Sequence, residues 1–319
     1  MTSIYHVISD AQLTQSQEEL LDTIDNLPFP FGGISKLKDL RSKTGVRVEL
    51  SDRANMLEEW ERYMARYNEL HGVFYGGEHW QACHRHQGEI GERRDFAQTQ
   101  IRQAKEHREG FMPLLGLYSR TYLWWSGSKN PKVGLIIDSI KDYARQADVN
   151  EEIVLGYVFI QEMMHAYFDA FNSKGFPSIL SLEESFAEFA MLTFIDESPD
   201  IRFMLPYAKD YVISRIGKNP GELGYGIELF IRSGEDAIKL IKRYKDISNW
   251  TEPPFQYKNS YHDSMRKYHK EPSEENATIV FEDILDILER EWKEPFDPIQ
   301  PGIGEKWGYA KIQTEIEDS

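Results

Sequence analysis

Five polar side chains between positions 161 and 188 belong to residue types that can bind a metal ion or move a proton. They are Gln161, Glu162, His165, Glu184 and Glu188. The first three stand in a strongly apolar stretch, where a carboxylate or an imidazole is costly to bury. Such groups need an ion pair, a hydrogen bond or a bound metal, so we expect each of the three to make at least one of these interactions.

A helix from Asn150 to about Phe171 must position the first three of these residues. Asn150 is its predicted N-cap, and two glutamates follow in the first turn, where the helix dipole favours negative charge. Apolar residues cover nearly the whole circumference, with one stripe at helical spacing: Ile153, Tyr157, Ile160, Met164 and Phe168. The pattern predicts a helix that is buried on almost all sides.

A second helix follows, for which Ser181 is the predicted N-cap. Glu184 and Glu188 are four residues apart and therefore share one face of this helix. The sequence thus predicts two consecutive buried helices that carry all five polar residues.

The two helices resemble the active-site helices of zincin metallopeptidases, and of their gluzincin branch in particular. The sequence Q-E-M-M-H at 161–165 is similar to the H-E-x-x-H zinc helix, and L-E-E-S-F-A-E-F at 182–189 is similar to the glutamate helix. Only the first histidine of the motif differs, because Gln161 stands in its place.

The resemblance implies a role for each residue. His165 and Glu184 would be metal ligands, Gln161 would stand at the position of the missing ligand, and Glu162 would be the general base. The implied cofactor is Zn²⁺ and the implied activity is hydrolysis of a peptide bond. Glu188, one turn after Glu184, is a candidate for orienting a ligand from the second shell.

Gln161 leaves two functions open. Its amide oxygen is a weaker zinc donor than imidazole, so His165 and Glu184 would need Gln161 and water to complete a site, and Mn²⁺ would suit this set better than zinc. Alternatively, Gln161 donates a hydrogen bond to Glu184 or Glu188 and stabilises a metal-free core. The protein is then either a metal-dependent peptidase or a catalytically inactive scaffold, a pseudoenzyme that binds a protein partner.

Structural explanations compete with these roles. Glu184 could complete a capping box with Ser181, His165 could be a hydrogen-bonded core histidine, and Glu188 could be a surface charge. A third class is a plain helical protein with a buried polar cluster and no zincin relation. A separation of more than about 8 Å between His165 and Glu184 would favour it, whereas a shared metal requires that they converge. Tyr225 and His262 are candidates for oxyanion stabilisation on residue type alone.

The composition narrows the class of partner. The chain has 319 residues and a formal net charge of -16, which disfavours nucleic acid and anionic membranes as partners and favours a peptide or protein. The single cysteine, Cys83, fits a reducing compartment, and no signal or transmembrane pattern is present, so we expect a cytoplasmic location. Histidines near Cys83 at 79–86 lack a second ligand cluster and are interpreted as exposed polar residues.

The predicted fold class is α+β, predominantly helical and zincin-like, with a small sheet packed on the two active-site helices. The expected organisation is a helical region at 1–110, a zincin-like domain at 111–295, similar to small bacterial zincins, and an acidic tail at 296–319. Further expectations are helices at 11–26, 52–70, 78–109, 139–146, 204–216, 226–246 and 282–292, and strands at 47–50, 114–123, 133–137 and 278–281. Residues 249–275 are expected to form an irregular loop or a short helix.

Overall fold

The computed structural model describes eight main segments of the chain. They are residues 5–7, 12–58, 114–119, 132–171, 180–206, 208–210, 225–248 and 255–289, with a few isolated positions. Most of the predicted helix at 78–109, the histidines at 79–86 and the tail from 296 lie outside the described residues. The described part of the chain is α+β and mostly helical, with one small mixed sheet. No helix within it is long and apolar enough to cross a membrane.

The chain divides into two compact units that alternate along the sequence. The first unit takes its described residues from 1–12 and 47–148, and the second takes them from 13–46 and 149–296. The boundaries predicted at 110 and 295 remain predictions.

The first unit contains a four-stranded sheet. Its strands are β1 (Tyr5–Val7), β2 (Arg47–Ser51), β3 (Gly116–Ser119) and β4 (Lys132–Ile136). The order across the sheet is β1-β2-β4-β3, with β1, β2 and β4 parallel and β3 antiparallel to β4. The predicted strands at 47–50, 114–123 and 133–137 are therefore confirmed within the described residues.

Strand β4 is the centre of this sheet. All five of its residues are buried, and Val133 and Leu135 pair with Val48 and Leu50 of β2. A strand that is apolar on both faces is typical of parallel sheets. Helix α3 (Ile137–Ala147) follows β4 directly and buries residues at helical spacing.

The second unit is a set of helices around two long central ones. The central helices are α4 (Glu151–Phe171) and α5 (Leu180–Glu197). The others are α1 (Gln15–Asn26), α2 (Leu37–Thr44), α6 (Pro199–Met204), α7 (Gly226–Ser233), α8 (Ala237–Ser248), α9 (Phe255–Lys270) and α10 (Glu274–Glu289). Helices α1, α2, α5 and α8 contact α4, whereas α6, α7 and α8 contact α5.

Helix α4 is buried on almost all sides, as its composition predicts. Apolar residues from Val154 to Phe168 have little or no exposed surface. The tyrosine hydroxyl within this core is satisfied, because Tyr167 donates to the carbonyl oxygens of Phe31 and Gly32 at 3.2 and 3.1 Å. On α5, the Phe186 ring stacks on Tyr244 of α8 with centroids 3.9 Å apart.

Two expectations about the C-terminal third are wrong, and one of two alternatives is decided. The predicted strand at 278–281 lies inside α10, because Ala277, Val280 and Ile284 recur at helical spacing and the Oγ of Ser273 caps the first turn. The segment at 249–275, predicted as an irregular loop or a short helix, contains the helix α9, so its helical alternative is confirmed. The single helix predicted at 226–246 is divided by a 3₁₀ turn at Gly234–Asp236, where Gly234 adopts φ +50°.

Candidate functional site

Helix α4 positions three of the predicted site residues near its middle. It begins where the sequence predicts, since the Asn150 side chain accepts a hydrogen bond from the Glu152 amide at 2.7 Å. His165 is buried, with 6% of its surface exposed, whereas Gln161 and Glu162 are half-buried. The helix therefore brings one buried imidazole and two partly accessible polar groups to adjoining turns.

Helix α5 positions the glutamates, although it does not begin where the sequence predicts. It begins at Leu180, so Ser181 lies within the helix and is not its N-cap. The capping box between Ser181 and Glu184 is therefore wrong. Glu183 lies in the first turn and Glu184 directly after it, near the helix end at which the dipole stabilises negative charge.

The imidazole of His165 lies between two glutamates of α5. Its Nε2 is 3.2 Å from Oε2 of Glu184, and its Nδ1 is 3.4 Å from Oε1 of Glu183. His165 and Glu184 thus converge, as a shared ligand site requires and as a plain helical protein would not need. The Glu184 side chain keeps 24% of its surface exposed, so this edge of the imidazole is the accessible one.

Glu183 is the site residue that sequence reasoning missed. Only 6% of its surface is exposed, and it interacts with the imidazole nitrogen opposite Glu184. The feature of the sequence that points to Glu183 is the pair of adjacent acidic residues in an otherwise apolar helix. Neighbouring residues of a helix diverge by about 100°, so two adjacent glutamates can contact two edges of one ring.

The charge of the cluster shifts the titration of His165. Burial lowers the pKa of the imidazole, but the negative charge of Glu184 and the hydrogen bonds to Glu183 and Glu184 raise it, with a further contribution from the charge of Glu162. The combined effect is a His165 pKa well above its ordinary value. Without a metal, the neighbouring carboxylates therefore favour the protonated imidazole.

Glu188 is a buried residue of α5 and not the surface charge that was its structural alternative. It is buried, with 8% of its surface exposed, and lies against Gly226 at the beginning of α7. A Cβ atom on Gly226 would be 2.8 Å from Oε2 of Glu188. The residue described at the Nδ1 of His165 is Glu183. The ligand-orienting role of Glu188 stays a prediction.

The two predicted oxyanion candidates make their described contacts elsewhere. Tyr225 is fully buried, and its hydroxyl donates to the carbonyl oxygen of Ala277 in α10. Burial raises the pKa of this hydroxyl, which is consistent with a structural phenol. His262 is half-buried in α9 beside the ring of Tyr261. Neither residue is brought to His165 by a contact among the described residues.

The donor set fits a divalent cation that accepts oxygen ligands better than it fits zinc. Two ligands of a tetrahedral metal, each at about 2.1 Å, are about 3.4 Å apart, which is close to the distance between His165 Nε2 and Glu184 Oε2. Gln161 lies one turn before His165 on the same face of α4. The described residues contain no cluster of three or more His, Cys, Asp and Glu side chains suited to a metal, so a third protein ligand would have to be the neutral amide.

The side chain of Gln161 makes no hydrogen bond to Glu184 or Glu188 within the described part of the chain. Gln161 as a whole is half-buried. The hydrogen-bonding role predicted for Gln161 in a metal-free core is therefore absent from this structure.

Comparisons of this chain with protein-family models, with curated proteins and with solved structures found no match. The zincin resemblance therefore rests on α4 and α5 alone. The two segments that support the resemblance are the Q-E-M-M-H sequence of α4 and the glutamate-rich start of α5.

Proposed function

We propose that this protein is a zincin-like, metal-dependent hydrolase that acts on peptide bonds. The observation that supports the proposal most directly is the 3.2 Å separation between His165 Nε2 and Glu184 Oε2. Two side chains from different helices meet there at the separation that two metal ligands adopt, and they do so at the accessible edge of a buried imidazole.

His165, Glu184 and the Gln161 oxygen are the proposed ligands. A divalent cation bound by them would polarise a substrate carbonyl and lower the pKa of a bound water molecule. Mn²⁺ is the proposed ion and Zn²⁺ the second choice, because a neutral amide oxygen suits a harder cation.

Glu162 is the general base of the proposal. It is half-buried on the turn between Gln161 and His165, and its charge acts on the His165 imidazole. A carboxylate so close to the proposed ligands can accept the proton of an attacking water molecule.

The variant Glu162→Gln tests this role. We expect it to bind Mn²⁺ with an affinity within a few-fold of wild type and to cleave a fluorogenic peptide library at least 100-fold more slowly, since general-base catalysis contributes about 10²–10⁴-fold. The matched control is Glu197→Gln, which makes the same change at an exposed position of α5. Equal cleavage by Glu162→Gln and wild type would exclude Glu162 as the base.

A second function is favoured by the carboxylates on both nitrogens of the imidazole. The protonated imidazole of His165 offsets the negative charges of Glu183 and Glu184 without a metal ion. A metal-free scaffold would need such pairing. The protein would then bind a protein partner and catalyse nothing. The two functions differ in one measurable property, which is whether the wild-type chain binds a divalent cation.

We also propose a cytoplasmic location and a peptide or protein as the molecule bound. The single cysteine is consistent with a reducing compartment, and the net charge of -16 disfavours polyanionic partners.

A further inference from the structure

Glu183 is a buried carboxylate that the proposed chemistry does not use. Its Oε1 is 3.4 Å from Nδ1 of His165, and both residues have only 6% of their surface exposed. A carboxylate buried to this extent is costly unless it has partners, and an imidazole nitrogen is one of them. The contact therefore calls for a function or a structural reason.

The imidazole can present a lone pair at only one nitrogen when it is neutral. If Nδ1 carries the hydrogen and donates it to Glu183, the lone pair is at Nε2 and faces the Glu184 side. Histidines that bind metals commonly donate their other N–H to a carboxylate, which fixes the tautomer and the orientation of the ring.

We infer that Glu183 is a positioning residue that orients the His165 ring and holds its proton at Nδ1, so that Nε2 is available to a divalent cation. This inference rests on the proposed function. Glu183 and Glu184 are consecutive residues of one helix and contact opposite edges of the ring, so α5 fixes the positioning carboxylate and the proposed ligand together.

Two variants of Glu183 separate positioning from packing. Glu183→Met keeps the length of the side chain but removes both the charge and the acceptor. Glu183→Gln keeps a neutral acceptor. By calorimetric titration with Mn²⁺, we expect the affinity of Glu183→Met to fall about 10- to 100-fold, the range for removal of such an outer partner, and that of Glu183→Gln to fall less. Glu197→Gln is the control for the charge change and should bind as wild type does.

The ¹⁵N chemical shifts of the His165 ring provide a readout that needs no metal. They are recorded on chelator-treated protein labelled at histidine, over a pH series that extends above the raised pKa of His165 so that the neutral ring is observed. The His165→Gln variant identifies the signals. We expect the Nδ1 resonance to move in both Glu183 variants and to stay in place in Glu197→Gln. If Glu183→Met does not fold, the Nδ1 resonance of Glu183→Gln alone tests the positioning role.

The outcomes distinguish this inference from the function on which it rests. A wild-type chain that binds neither Mn²⁺ nor Zn²⁺ overturns both. A wild type that binds Mn²⁺ together with a folded Glu183→Met variant that binds it equally well overturns the positioning role alone. Ring resonances unchanged in both Glu183 variants overturn it as well.

Discussion

At the scale of single residues, the environment of His165 decides the behaviour of the site. Burial disfavours the charged imidazole, while two glutamates at 3.2 and 3.4 Å favour it. The carboxylates prevail, so the pKa of His165 is raised well above its ordinary value. Because the pKa differs between the folded and the unfolded chain, stability must depend on pH.

The sign of this dependence follows from the direction of the shift. The stabilisation from protonated His165 is complete below the unfolded pKa of about 6.5 and is lost as pH rises through the raised folded pKa. In chelator-treated protein, we therefore expect the free energy of unfolding to fall above about pH 6.5 relative to His165→Gln. Urea denaturation of both proteins at several pH values measures the difference.

A difference between wild type and His165→Gln that grew with pH would contradict this assignment of charge. A constant difference would show that the imidazole does not titrate between the carboxylates. His165→Gln also corrects for the titrating groups that do not contact His165, since these have the same surroundings in both proteins.

The residue scale also shows what the sequence can predict of the site. The zincin resemblance implied that His165 and Glu184 would meet, and the structure brings them to 3.2 Å. The choice among Glu183, Glu184 and Glu188 was not predictable, since it depends on the rotation of α5 about its axis. Tyr225 was a candidate for oxyanion stabilisation on residue type alone. Residue type does not show that its hydroxyl donates a hydrogen bond to the carbonyl oxygen of Ala277.

At the scale of elements, α5 is held by a close contact with the start of α7. A Cβ atom on Gly226 would lie 2.6 Å from the Ser185 carbonyl oxygen and 2.6 Å from Cβ of Glu188. The first of these atoms belongs to the backbone and cannot rotate away. Gly226 therefore allows the two helices to approach, and this contact lies within one turn of Glu184.

We expect Gly226→Ala to lower the free energy of unfolding by about 3 kcal/mol, at the upper end of the range for overpacking a core. Gly156→Ala on α4 is the matched variant, because the one contact of its added methyl below 3.4 Å is with the flexible end of Leu205, at 2.6 Å. Its cost should be smaller. Denaturant unfolding of both variants gives the comparison, and a Gly226→Ala variant that is no less stable than Gly156→Ala would contradict the account of this contact.

The limits of sequence-based prediction are also visible in the elements. Helix α4 was predicted almost to the residue, because a cap and a long apolar pattern agree there. Helix α10 was not predicted over its full length. The β-branched and aromatic residues at 278–281 favour a strand locally, whereas the helical spacing of the buried residues from 277 to 288 favours a helix. Packing against α9 and α7 decides in favour of the helix.

At the scale of the whole molecule, the chain alternates between a sheet unit and a helical unit. Residues 47–148 belong to the first, while 13–46 and 149–296 belong to the second. Such alternation leaves no change in composition at a single boundary. The parallel pairing of β1 with β2 and of β2 with β4 was not predictable from the sequence either. Parallel strands are joined by long connections and not by a recognisable turn.

The central claim is that the helical unit binds a divalent cation between His165 and Glu184. Calorimetric titration of the chelator-treated wild-type chain with Mn²⁺ and Zn²⁺, beside Gln161→His, tests it most directly. We predict one Mn²⁺ site in the wild type and a gain in Zn²⁺ affinity of about 100-fold or more in Gln161→His, because imidazole replaces a weak amide donor. A wild type that binds neither ion, combined with a Gln161→His variant that binds Zn²⁺ tightly, would contradict the claim and favour the scaffold.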